Sequence, residues 1–131
     1  FDASTGFILQ KSNICILITE PSLAGLRDSG RLLRYLGEDQ LNHRLILVLN
    51  KFIKEAKGKL SPEDFEETLK HKIDHLVPYV TSINTELIDA GKTILEVDTP
   101  LTKPIEEIAS NIQGIKEEKK ESHSIWDIFK K

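Results

Sequence analysis

Two continuous apolar runs, NICILIT (Asn13 to Thr19) and RLILVLN (Arg44 to Asn50), constrain this chain more than any other feature. Both are rich in Ile, Leu and Val, and neither alternates with polar residues. That is the pattern of parallel strands covered on both faces, so both are expected as interior strands. Parallel strands need a crossover, and the intervening TEPSLAGLRDSGRLLRYL supplies one. Leu23, Leu26, Leu33 and Leu36 recur at helical spacing while Arg27, Arg31 and Arg34 share a different face, which predicts an amphipathic helix over Ser22 to Leu36. Pro21 suits the first turn of that helix and Gly37 its C-terminal stop. Strand, helix and strand make a βαβ unit. The expected fold class is α/β, a doubly wound and mostly parallel sheet with flanking helices.

The rest of the chain extends this pattern. After the lysine-rich KFIKEAKGK, the segment LSPEDFEETLK places Ser61 before Pro62 and acidic residues in a first turn, predicting a short helix. KIDHLVPYV reads as a third strand broken by Pro78. SINTELIDAG predicts a helix of two to three turns ending at Gly91, TILEVDTP an extended linker, and Leu101 to Ile115 a last helix with Ile105, Ile108, Ile112 and Ile115 on one side. The charge-dense KEEKKESHS reads as a solvated tether ending in the apolar cluster IWDIFKK. The expected organisation is one domain over residues 1–115 and a tail over 116–131.

Composition excludes several classes. The 131 residues fit one domain, and a formal charge of −3 gives no overall attraction to nucleic acid or anionic lipid. The apolar runs fall well short of the roughly 20 residues that span a bilayer. A single cysteine, Cys15, cannot form an internal disulfide, and inside an apolar strand it reads as a buried, inert thiol of a reducing cytoplasm. The chain starts FDASTGFILQKS and contains no methionine. It is therefore expected to begin inside a longer gene product.

In open parallel sheets ligands bind beyond the carboxyl ends of the strands, which singles out Thr19-Glu20-Pro21, Asn50-Lys51 and Pro78-Tyr79. An Asn amide offers a donor and an acceptor that can match a purine edge, and a lysine stem can cover its face. Asn50 as a simple turn former and Tyr79 as a half-buried strand end are the alternatives. His43, His71, His75 and His123 show no metal-ligand spacing. There is no G-x-S-x-G, no G-x-x-x-x-G-K-[ST] and no G-x-G-x-x-G, so no catalytic residue, metal site or phosphate cradle is expected within the chain.

Taken in order, ILITEPSLAGLRDSGRLLRYL, LILVLNK, LSPEDFEETLKHKIDHLVPYV, DAGK and the final helix resemble the C-terminal half of a MinD/ParA-type deviant Walker ATPase of the SIMIBI P-loop class. The CpaE/TadZ branch, associated with pilus assembly and its polar localisation, is the nearest pattern. The most specific part is T-[EN]-P followed by L-R-D-x-x-R-L-L, and the likeness runs from Phe1 to about Ile115. It implies that the P-loop, switch I and Walker B lie upstream of this chain. Asn50 and Lys51, with Pro78 and Tyr79, would then flank the adenine. Asp2, Glu20 and Pro21 would lie at the switch and dimer edge, and Arg27, Asp28 and Arg31 would be candidates for partner binding. For the Arg27 to Arg31 face, a plain solvated surface with Asp28 paired to a neighbouring arginine is the alternative.

The resemblance further implies ATP and Mg²⁺ as cofactors of a longer parent, a weak ATPase, with none bound by this chain alone. It implies a nucleotide-switched homodimer that docks pilus or secretion assembly proteins, with no specific nucleic acid. The expected location is cytoplasmic, at the membrane face or cell pole, with peripheral association through a partner. A MinD-like or ParA-like positioning ATPase and a non-hydrolysing scaffold are the alternatives. The acidic balance opposes the DNA-binding variant, since nonspecific DNA affinity comes from phosphate neutralisation. Two departures stand out: Ser22 occupies the place where MinD proteins carry an acidic residue, and IWDIFKK is not a long basic amphipathic helix.

Overall fold

A run of five buried residues, Leu45 to Leu49, forms the axis around which the chain is built. The computed structural model describes residues 3–37, 45–54, 60–81 and 91–114. They form α1 (Ala3–Lys11), β1 (Cys15–Thr19), α2 (Leu23–Leu36), β2 (Leu45–Phe52), α3 (Pro62–Leu69), β3 (His75–Pro78), a 3₁₀ turn (Ile94–Glu96) and α4 (Thr102–Gln113). The strands are parallel in the order β1-β2-β3, with Cys15 opposite Leu45 and Thr19 opposite Leu49 on one side of β2. On the other side Val48 faces His75 and Leu49 faces Leu76.

Alternation along β2 divides its side chains between two faces. Ile46 and Val48 join Val77, and Leu101 and Ile108 of the α4 segment cover them. Leu47 and Leu49 point to the opposite face and, like Phe65 of α3, are fully buried. There α2 lies over β1 and packs against α3. Each of these side chains contributes about 1.5–3 kcal/mol by leaving water. Asp74 extends the β2–β3 pairing beyond the strand itself: Leu47 N–H donates to its Oδ2 at 2.7 Å, and its own N–H donates to Leu47 O at 2.9 Å.

Helix ends follow local chemistry. Ser22 Oγ accepts from Gly25 N–H at 3.0 Å and caps α2, and Gly37, at φ 73°, ends that helix in a conformation L side chains rarely adopt. Ser61 and Asp64 exchange bonds in a capping box at the start of α3, with Pro62 in its first turn.

Several expectations need correction. Only β2 is interior among the described strands. Ile16 and Ile18 share the face of Ile46 and Val48, yet they are 39% and 62% exposed because α4 covers β3 and does not reach across to β1. Pro21 is not in the first turn of α2; it precedes the Ser22 cap and is buried. The linker TILEVDTP contains a 3₁₀ turn, tied to α4 by Thr102, whose Oγ1 lies 2.9 Å from Val97 O. The third strand spans four residues, and α4 stops at Gln113 with Gly114 as its left-handed cap. α1 was not foreseen at all. The helix expected over SINTELIDAG and the tail from Ile115 lie outside the described residues.

Candidate functional site

Because all three strands run the same way, their last residues converge on one rim. Glu20 follows β1 directly. Asn50 and Lys51 lie near the end of β2, Pro78 is the last residue of β3, and Tyr79 follows it. The rim departs from regular sheet. Pairing of β2 with β3 shifts register between Leu49 and Phe52, and Lys51 adopts φ 56°, a left-handed conformation that is uncommon for a side chain of its size. Lys51 N–H, displaced from the ladder, donates to Asn50 Oδ1 at 2.9 Å. That bond commits the amide oxygen and leaves Asn50 Nδ2 as a donor with no partner among the described residues.

The turn at Lys51 carries its ammonium across to β1, where Nζ lies 2.6 Å from Glu20 Oε1. The hydrogen bond to Glu20, its opposite charge and a smaller effect of Tyr79 raise the Lys51 pKa above its ordinary value. Tyr79 N–H donates to Phe52 O at 3.0 Å, which fastens the chain after β3 to the bulge and leaves Tyr79 49% exposed. The rim therefore presents a free amide donor, a cation paired with a carboxylate, and an exposed aromatic ring. This set can meet the edge and face of a heteroaromatic base.

On the β1 side the chain turns into α2 within three residues. Ser22 N–H donates to Glu20 O at 2.7 Å. Gly25 allows the helix to start this close, because a Cβ there would stand 2.5 Å from Glu20 O and 2.8 Å from Thr19 Oγ1. α2 then leads away from the rim. At about 1.5 Å per residue, Arg31 lies roughly 12 Å further along its axis than Leu23. Arg27 Nε pairs with Asp28 Oδ1 at 3.1 Å in open solvent, with both side chains more than 60% exposed.

The structure thus brings together Glu20, Asn50, Lys51, Pro78 and Tyr79. It sets Arg27, Asp28 and Arg31 apart on the outer face of α2. Pro21 is buried behind the rim, and Asp2 lies outside the described residues. The contact the sequence concealed is the Glu20–Lys51 bridge, since nothing in the residue string announces a left-handed Lys51. Among the described residues no group of three or more His, Cys, Asp or Glu could hold a metal ion, and no helix is long and apolar enough to cross a membrane.

A three-stranded parallel sheet flanked by helices, with polar groups gathered beyond its carboxyl ends, is an α/β fold. Solved structures with this fold include the cell division protein MinD of Aquifex aeolicus, with TM-score 0.69, 20% identity, and coverage of 86% of this chain and 49% of that one. The MinC:MinD complex of the same organism matches with TM-score 0.70 and 21% identity over 87% of this chain and 48% of that one. A ParA family ATPase from Chlorobium tepidum TLS matches with TM-score 0.66 and 20% identity over 85% and 45%. The chain spans about half the length of each of these structures. No family model matches the sequence, and no curated protein matches it.

Proposed function

We propose that the chain is the base-binding half of a nucleotide-switched ATPase of the MinD/ParA type, which dimerises and recruits a partner through α2. The observation that carries this reading is the convergence of Asn50, Lys51 and Tyr79 on one rim of a sheet whose fold is that of MinD. A free amide donor beside an exposed ring suits an adenine edge and face. The rim does not suit phosphate or Mg²⁺: its cation is already paired with Glu20, and no glycine-rich loop or acidic cluster adjoins it among the described residues. Phosphate chemistry therefore falls to other parts of the protein.

The open edge of β1 supports the reading independently. A strand that pairs on one side only among the described strands and exposes Ile16 and Ile18 can form half of a seam. A second α/β half fits there, in keeping with a chain about half as long as the structures it matches. Within this class the CpaE/TadZ type, a factor for pilus or secretion assembly, rests on TEPSLAGLRDSGRLLRYL. The alternative is a division-site or partition ATPase.

The test is nucleotide binding by the complete polypeptide that carries this chain. Asn50→Ala is expected to weaken ATP binding about tenfold, roughly 1.4 kcal/mol. Arg27→Glu combined with Arg31→Glu is expected to abolish partner recruitment at unchanged ATP affinity. Loss of ATP binding in the arginine variant would move the nucleotide to α2 and defeat the assignment.

A further inference from the structure

Beside the proposed base contacts of Asn50 and Tyr79 stands the Glu20–Lys51 bridge, a paired acceptor and donor still without a task. Strand register brings this pair against Asn50. Thr19 lies opposite Leu49, so one step further along both strands Glu20 adjoins Asn50, with neighbouring strands about 4.8 Å apart. By the alternation of Ile16 and Ile18 with their partners Ile46 and Val48, both residues belong to one face of the sheet. Lys51, turned out of the ladder at φ 56°, reaches the same spot, with Nζ 2.6 Å from Glu20 Oε1.

Each group keeps spare capacity. Asn50 Oδ1 accepts from Lys51 N–H, so the amide is fixed and offers Nδ2 as a donor only. A carboxylate has acceptor sites beyond the one spent on the bridge, and an ammonium carries three hydrogens of which the bridge takes one. Both side chains are 54% exposed, so a ligand reaches the pair without breaking it.

Purine chemistry decides what fits. Adenine and guanine share the N7 acceptor and differ at position 6, where adenine carries an amino donor and guanine, like hypoxanthine, a keto acceptor. A donor-only Asn50 at N7 does not separate them. The neighbouring pair answers either substituent, because Glu20 accepts from a 6-amino group and Lys51 donates to a 6-keto group. We propose that the rim takes 6-oxo as well as 6-amino purine nucleotides, with Asn50 holding N7, Glu20 reading adenine and Lys51 reading hypoxanthine or guanine. This rests on the reading that the rim binds a purine base.

Titration calorimetry of the complete polypeptide with ATP and with inosine triphosphate, which has a keto group in place of the 6-amino group, tests the proposal. The unaltered protein is expected to bind the two within about threefold of each other. Glu20→Ala should weaken ATP binding about tenfold and leave inosine triphosphate unchanged. Lys51→Met, which keeps the stem and removes the charge, should do the reverse. Each variant therefore retains one tight ligand, and that ligand reports an intact fold. 7-Deaza-ATP should bind the unaltered protein about tenfold more weakly than ATP, and bind Asn50→Ala no more weakly than ATP does. Rejection of inosine triphosphate by a protein that binds ATP would overturn this inference alone. So would a loss shared equally by both nucleotides in either variant, or 7-deaza-ATP binding as tightly as ATP. Binding of neither nucleotide by the unaltered protein would overturn the purine reading along with it.

Discussion

Lys51 shows how one backbone angle can assemble a site. Its left-handed conformation costs energy that a glycine would not incur, and it turns the side chain towards Glu20. Lys51→Gly is therefore expected to shift the urea midpoint upward while weakening nucleotide binding by the complete protein. Lys51→Ala loses the bridge without relieving the backbone and should gain no stability. The bridge also fixes a pH signature. A lysine whose pKa is raised contributes fully below its unfolded value, near 10.5, and loses that contribution as pH climbs through the raised value. The stability difference between the unaltered chain and Glu20→Gln should hold at neutral pH, vanish only in strong alkali, and shrink with added salt. Cys15 is held above its ordinary pKa by burial, so its thiol should react slowly with disulfide reagents at neutral pH.

Among the elements, α2 carries most of the positional information. Ser22→Ala removes the cap and should cost about 1 kcal/mol in chemical denaturation. In an open helix Gly25→Ala would stabilise. Here it should destabilise by about 1–3 kcal/mol, because the added methyl meets the backbone of Glu20 and the hydroxyl of Thr19. The stop of α2 at Gly37 was legible in the residue string, as were the start of α3 at Ser61 and Pro62 and the parallel pairing of the first two strands; the Ser22 cap of α2 was not, because Pro21 reads as a first-turn residue. Each legible feature rests on a residue type with a local preference. The half-exposed face of β1 was not legible, because an apolar run states that a strand can be covered on both faces and not which neighbours are present. α1 escaped notice because ASTGFILQK carries no clear apolar stripe. The rim positions were legible from Asn50-Lys51 and Pro78-Tyr79 lying at strand ends. Their pairing with Glu20 depends on a bulge that no motif encodes.

For the molecule as a whole, the governing fact is that β1 is an edge strand among the described residues and carries the exposed Ile16 and Ile18. An uncharged edge strand invites pairing with another chain. Static light scattering on the isolated chain should show self-association that Ile18→Lys suppresses. Phosphate release from ATP by the isolated 131-residue chain should not rise above the blank. The central claim is that Glu20, Lys51, Asn50 and Tyr79 form the rim where a purine base rests. Photolabelling the complete polypeptide with an azido-adenine nucleotide, followed by peptide mapping, tests this most directly. Label is expected on the peptides holding Asn50 to Phe52 and Pro78 to Val80, displaced by excess ATP and much reduced in Asn50→Ala. Label confined to other peptides, no specific label, or label undiminished by Asn50→Ala would contradict the account.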